Sequence, residues 1–171
     1  MVGAPEALFL RETQAQVHVA VGARPVYFGP LNKPITPGEP LDLSTLEPGR
    51  IIFQEPLTVT SSEAAAYRAA VDDNGDLYDQ EHVVPSMAVA ALVMGAAIRA
   101  VDLPAGAVHT GQELEFALPV PEQAELNCTA TVSQNSVRGS TRFLVIGIQG
   151  ALGGKTAVAG RTTIAIAEEG A

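Results

Sequence analysis

The stretch Gly106-Ala-Val-His-Thr-Gly-Gln-Glu-Leu-Glu-Phe-Ala-Leu-Pro-Val120 lies between two different sequence patterns. Before it runs an uncharged, alanine-rich segment, Val83 to Ile98, and after it come three segments that alternate apolar and polar residues. Such alternation is typical of half-buried strands, whereas the uncharged segment is typical of a buried helix. We therefore predict an α+β fold in which an antiparallel sheet wraps around a central Ala-rich helix.

The predicted central helix begins at Pro85 and continues from Ser86 through Ile98. Proline suits a first helical turn, because the N–H group that it lacks has no partner there. The helix is apolar on nearly every side, so it must be buried. The uncharged segment is too short and too rich in Ala and Gly to span a membrane, which predicts burial inside the protein.

Strands are predicted on both sides of this helix. A turn at Leu46-Glu-Pro-Gly49 leads into the first strand, and the capping-box spacing of Thr60 and Glu63 then starts a helix that stops at Asp72-Asp-Asn-Gly-Asp76. The later strands are predicted around Val108 to Leu118, Ala124 to Asn135, Thr141 to Gln149 and Lys155 to Ile166, with turns at Arg138-Gly139 and from Gly150 to Gly154.

Residues 1–43 form a separate N-terminal arm in this interpretation, and residues 44–171 form one domain. The arm contains a strand pattern, Gln14 to Val21, followed by repeated prolines that break regular structure. No basic-then-apolar targeting pattern is present at its start, which favours a cytoplasmic protein.

Composition excludes several functions. The chain has 171 residues and a net charge of −9, and its basic residues are scattered, so nucleic acid is not an expected partner. The one cysteine, Cys128, cannot form an intramolecular disulfide and lies in a strand pattern, which predicts a small buried core residue. Three well-separated histidines and this cysteine lack the spacing of a metal site, so no metal is expected.

From about Leu43 onward the chain resembles the MaoC-like dehydratases and (R)-specific enoyl-CoA hydratases, which have the hot-dog fold. The stretches Leu46-Glu-Pro-Gly-Arg-Ile-Ile-Phe53 with Thr58 to Tyr67, and Leu103-Pro-Ala-Gly106 with Gly111 to Val120, carry the resemblance. It implies an acyl thioester of coenzyme A or of a carrier protein as substrate, with no further cofactor. It also implies addition of water to a trans-2-enoyl group, or loss of water in reverse.

The family's catalytic motif has the form Asp-x-Asn-Pro-x-His. Carried over from the preceding helix, the catalytic Asp falls on Asp73, which leaves Gly75 at the Asn position and Tyr78 at the His position. A shift by one residue, to Asp72, puts Leu77 at the His position instead. Neither register supplies a histidine, and Asp73 could equally serve only to end the helix.

Two residues could replace the missing histidine. Tyr78 is a weak base, because a free tyrosine has a pKa of about 10. His82 is the nearest imidazole, and a flexible loop containing Gly75 could swing it into the vacant role. The predicted catalytic residues are therefore Asp73, Tyr78 and His82.

The resemblance also implies a thioester-binding site at the start of the central helix. There Pro85-Ser86 replaces the His-Gly pair of the family, and the Ser86 amide would polarise the thioester carbonyl. The predicted substrate-binding residues are Gly75, Pro85, Ser86, Met87 and His109. For His109 two interpretations stay open: it faces the acyl tunnel, or it is a strand residue paired across the sheet.

Three functions remain open at this point: a hydratase or dehydratase, a catalytically silent acyl-binding subunit, and a hot-dog thioesterase. The first two predict a homodimer or a heteromer with a homologous hot-dog chain. Coenzyme A is polyanionic, so its binding would require a local basic rim. The candidates for that rim are Arg68, Arg99, Arg138, Arg142, Lys155 and Arg161.

Overall fold

A computed structural model describes residues 42–101 and 103–168 of the chain. After a 3-10 turn at Leu43–Thr45, the elements are β1 (Ile51–Thr58), α1 (Ser61–Ala70), α2 (Leu77–Glu81), β2 (Val83–Val84), α3 (Ser86–Val101), β3 (Val108–Phe116), β4 (Val120–Pro121), β5 (Glu125–Arg138), β6 (Thr141–Leu152) and β7 (Lys155–Ala167). The long strands form a five-stranded sheet in the order β1-β5-β6-β7-β3, and β2 pairs with β4. Every neighbouring pair is antiparallel.

The sheet has one face packed against α3 and one face turned away from it. In β5 the buried residues Leu126, Cys128, Ala130 and Val132 alternate with more exposed ones, as expected for a strand with one covered face. The helix α3 contacts β1, β5, β6 and β7, so it crosses most of the sheet. This is the predicted architecture of a sheet wrapped around a central helix.

Small side chains in α3 allow this close packing. Ala90, Ala96 and Ala97 are fully buried, as are Val93 and Val101. Across from the helix, Gly150 has no room for a side chain, because a Cβ there would lie 2.9 Å from Val158 Cγ1. The core therefore depends on close approach rather than on large aromatic residues.

Most sequence-based predictions of the elements are confirmed. The central helix and the four later strands form within a few residues of the predicted limits, although Pro85 precedes the first helical residue instead of occupying it. The predicted turn from Gly150 to Gly154 is wrong, because β6 continues to Leu152 and only Gly153-Gly154 turn. The predicted arm lies outside the described residues except for residues 42 and 43, and Gln14 to Val21 lies outside them entirely. Among the described residues no helix is long and apolar enough to cross a membrane.

The capping box that starts α1 is present. The Glu63 amide donates to the Thr60 hydroxyl at 3.2 Å, and the Glu63 carboxylate accepts from the Thr60 amide at 2.9 Å. These bonds satisfy two backbone donors that the helix itself leaves without partners. They also fix where α1 begins, and hence where its last turn presents Tyr67 and Arg68.

Replacing Thr60 with Ala should lower the free energy of unfolding by about 1 kcal/mol, the usual cost of removing an N-cap side chain. Ser62→Ala is the control, because Ser62 lies exposed in the same helical turn and takes no part in the capping box. Urea unfolding followed by circular dichroism measures both. Equal midpoints for the two variants would show that the capping box contributes nothing to stability.

Candidate functional site

Asp73 lies in the turn after α1, where backbone hydrogen bonds fix its position. Asp72, which follows the C-cap residue of α1, has the left-handed φ of 55°, and the Asp73 amide donates to the Arg68 carbonyl at 2.9 Å. The half-buried Asp73 carboxylate accepts from the Gly75 amide at 3.0 Å. One carboxylate oxygen is thereby tied to the backbone, and the other is not used in that bond.

Arg68 lies at the centre of this segment. Its guanidinium donates to the Asp79 carboxylate at 2.9 Å and to the Gly75 carbonyl at 2.6 Å. It also lies over the Tyr78 ring, 5.5 Å from the ring centroid, which is a cation–π distance. One side chain therefore connects the turn after α1 with the helix α2.

Tyr67 lies in the same cluster as Asp73 and Tyr78. Burial raises the pKa of the Tyr67 phenol, and the nearby Tyr78 phenol and Asp73 carboxylate raise that pKa further. Tyr67 therefore stays protonated at neutral pH and can act as a hydrogen-bond donor. Of the three predicted catalytic residues, Asp73 and Tyr78 thus both lie near Tyr67, and Arg68 contacts the segment that carries them.

His82 lies at the end of a helix, whereas the sequence predicted a flexible loop. It ends α2 with a left-handed φ of 53°, its amide donates to the Tyr78 carbonyl, and its carbonyl accepts from the Glu122 amide at 3.0 Å. These bonds anchor its backbone at both sides. The segment predicted as a loop contains the helix α2, and the His82 side chain is exposed. The catalytic role of His82 stays a prediction.

The start of α3 offers free backbone donors. The Pro85 carbonyl accepts from the amides of Ala88 and Val89 at 2.9 and 3.3 Å. The amides of Ser86 and Met87 precede these and have no carbonyl of the helix to donate to. Pro85 is buried, Ser86 is half-buried and Met87 is 38% exposed, so the first turn lies at the surface beside β2.

His109 lies away from this cluster, on the edge strand β3. It is paired opposite Ile164, and a bulge separates it from Gly111 in the register with β7. Its Nε2 lies 2.6 Å from the hydroxyl of the buried Thr162 and 3.0 Å from the Gly111 carbonyl. A hydrogen bond to this carbonyl requires a proton on Nε2, whereas the Thr162 hydroxyl can either donate or accept. His109 is thus a residue paired across the sheet, and its role in binding substrate stays a prediction.

Cys128 is the buried core residue that the sequence predicts. It is 1% exposed, and desolvation by burial raises the pKa of its thiol to about 12. The thiol is therefore neutral at physiological pH and is not a nucleophile.

Three of the six predicted rim residues form ion pairs with acidic side chains. Arg68 pairs with Asp79, Arg142 with Glu168 and Arg161 with Glu113. Acidic residues also follow one another through the Asp73 segment, at Asp72, Asp73, Asp76, Asp79 and Glu81. Within the described residues, the surface at the candidate site is therefore acidic rather than basic.

Sequence reasoning missed two residues of the site, Tyr67 as a neighbour of Asp73 and Arg68 as its organiser. Both lie in the last turn of α1, six and five residues before Asp73. The available signal was a single arginine preceding a run of acidic residues, which predicts local charge pairing. Only the fold shows that the same guanidinium also reaches the Gly75 carbonyl and the Tyr78 ring.

The arrangement of a helix wrapped by an antiparallel sheet is the hot-dog fold. No protein-family model matches the sequence, and no curated protein matches it. Among solved structures, a MaoC-like dehydratase from Rhodospirillum rubrum has a TM-score of 0.61 at 15% identity, over 77% of this chain and 99% of that chain. The fold of this chain is therefore that of the MaoC-like hot-dog proteins.

Two further solved structures share the fold. The (R)-hydratase of A. caviae, involved in PHA biosynthesis, has a TM-score of 0.59 at 23% identity, over 71% of this chain and 98% of that chain. A monoamine oxidase regulatory protein from Archaeoglobus has a TM-score of 0.65 at 13% identity, over 77% of this chain and 97% of that chain. Names within this fold thus include both enzymes and a regulatory protein.

Proposed function

We propose that this chain is an acyl-thioester hydratase or dehydratase, which adds water reversibly to trans-2-enoyl thioesters. The observation that supports it best is the cluster of the half-buried Asp73 carboxylate with Tyr78 and Tyr67, in a fold shared with (R)-hydratases. The thioester of coenzyme A or of a carrier protein is the substrate, and no further cofactor takes part. We also propose a cytoplasmic location and a dimer of hot-dog chains.

In the proposed mechanism, Asp73 takes a proton from a water molecule, and the water oxygen forms a bond to C3 of the enoyl group. The electron pair of the C2–C3 double bond moves toward C2 and the thioester carbonyl oxygen. The Ser86 amide donates to that oxygen and stabilises the charge that develops there. C2 then takes a proton from the Tyr78 phenol, and the proton on Asp73 returns to Tyr78 through solvent.

Replacing Ser86 with Pro tests the amide donor, because proline fits a first helical position but has no N–H group. We expect kcat on a trans-2-enoyl-CoA to fall about 10²-fold, the usual cost of losing one oxyanion donor. Ser86→Ala is the matched control, since it removes the hydroxyl and keeps the amide. The measurement is the loss of enoyl-thioester absorbance. Equal activity of the Pro and Ala variants would exclude the Ser86 amide from the reaction.

A second function is favoured by one specific observation, the absence of a histidine in either register of the motif together with the anchored backbone of His82. In this alternative the chain is a silent acyl-binding subunit that pairs with a homologous active chain. Solved structures of this fold include two complexes from Mycobacterium tuberculosis, ChsH1-ChsH2 and the (3R)-hydroxyacyl-ACP dehydratase HadBC.

The native mass of the chain purified alone distinguishes the two functions. A stable homodimer favours the hydratase, and an aggregating chain with an unpaired sheet edge favours the heteromer.

A further inference from the structure

Arg68 makes more contacts with the candidate site than a surface ion pair requires. Its guanidinium bonds to the Gly75 carbonyl and the Asp79 carboxylate and covers the Tyr78 ring, while its own carbonyl accepts from the Asp73 amide. Only 17% of its side chain is exposed. It therefore contacts both ends of the segment that carries the proposed catalytic groups.

The ion pair with Asp79 does not by itself account for this arginine. Its partner Asp79 is 66% exposed, and ion pairs with an exposed partner contribute little to folding. In addition, its Nε is buried and has no hydrogen-bond partner. A buried donor without a partner is unfavourable, so the position has a cost that the ion pair hardly offsets.

We propose that Arg68 is a positioning residue, which holds Asp73 and Tyr78 toward the same reacting water. This inference rests on the proposed hydratase function. Arg68 donates to the Gly75 carbonyl, and the Gly75 amide donates to the Asp73 carboxylate. The arginine therefore positions the base through one intervening residue. The guanidinium face fixes the Tyr78 ring directly.

Arginine suits this role better than lysine. Its planar fork donates along two fixed directions and its face can stack on an aromatic ring, whereas an ammonium is a single flexible point charge. Lysine at this position would keep the charge beside Asp79 and lose the simultaneous hold on Gly75 and Tyr78. The substitution Arg68→Lys therefore separates positioning from charge.

The test compares Arg68→Lys with Arg50→Lys, the matched control, whose arginine is exposed just before β1 and belongs neither to the Asp73 segment nor to the candidate basic rim. We expect kcat of Arg68→Lys to fall about tenfold with KM within about twofold of wild type, since misplaced catalytic groups slow the chemical step. The control should keep both values. The proposal would be overturned if Arg68→Lys kept the wild-type kcat, whether or not its KM changed.

Double substitution with Tyr78→Phe tests whether Arg68 acts through Tyr78. If it does, adding Arg68→Lys to Tyr78→Phe should lower kcat by less than it does in wild type, because the two residues act as a unit. Fully multiplicative effects would overturn this part of the inference.

Hydrogen exchange distinguishes a failure of this inference from a failure of the proposed function. In Arg68→Lys we expect the Gly75 amide to exchange about tenfold faster, because the segment opens more often. Unchanged exchange would overturn the hold of Arg68 on the segment, whatever the activity. Absence of turnover in well-folded wild type would overturn the proposed function, and with it the catalytic purpose of that hold.

Discussion

Asp73→Asn should reduce the turnover of a trans-2-enoyl thioester about 1,000-fold, within the range that general acid–base groups contribute. The amide is nearly the same size as the carboxylate. Its oxygen can still accept from the Gly75 amide, as the carboxylate does at 3.0 Å in wild type. The substitution therefore keeps the turn and removes the base. Loss of enoyl absorbance at saturating substrate measures the effect.

Asp72→Asn is the matched control, and it also tests the register of the motif. Asp72 has a φ of 55°, a conformation that asparagine adopts readily, so the substitution should leave the backbone unchanged. In the shifted register Asp72 would be the base, and its loss would be the damaging one. We expect nearly wild-type turnover in Asp72→Asn. The reverse ranking of the two variants would move the catalytic role to Asp72, and equal activity in all three proteins would remove both carboxylates from the mechanism.

Features that depend on neighbouring residues in the chain could be predicted from the sequence. The capping box needs only Thr60 and Glu63 at the right spacing, and α3 needs only a long uncharged run. The hairpins joining β5, β6 and β7 follow from alternation and glycine turns, apart from the end of β6. There Gly150 suggested a turn, but it is a strand residue packed against Val158.

Features that depend on residues brought together by folding could not be predicted. The helix α2 has five residues, too few for a periodic pattern, and it ends at His82, where bonds to Tyr78 and Glu122 hold the backbone. Nothing local shows that Glu122, forty residues later, reaches His82 through the pairing of β2 with β4. The contacts of Arg68 with Gly75 and Tyr78 likewise exist only in the folded chain.

Gly160→Ala should lower the free energy of unfolding by about 3 kcal/mol, the upper part of the range for adding a methyl group to a well-packed site. Gly160 lies in β7 opposite Leu114 of the edge strand β3. A Cβ there would overlap the Glu113 carbonyl oxygen and would lie 2.7 Å from Leu114 Cδ2. Because the first of these atoms is backbone, β3 itself must move away from β7.

Gly111→Ala is the matched control, since Gly111 lies in the same pair of strands opposite Thr163. A Cβ at Gly111 would have its nearest neighbour, Thr163 Cβ, at 3.9 Å, an ordinary contact. Neither glycine has a positive φ, so the two variants differ in the space available and not in backbone strain. We expect Gly111→Ala to change the free energy of unfolding by less than about 0.5 kcal/mol.

Urea unfolding of the two alanine variants beside wild type measures the difference, with the midpoint as readout and the slope as a check that the same surface unfolds. Displacement of β3 should also free His109, whose Nε2 contacts Thr162 on β7. The His109 ring resonances should therefore shift in Gly160→Ala. Equal midpoints would mean that β3 tolerates a methyl group at Gly160, so that close approach of β7 to the edge strand is not what requires glycine there.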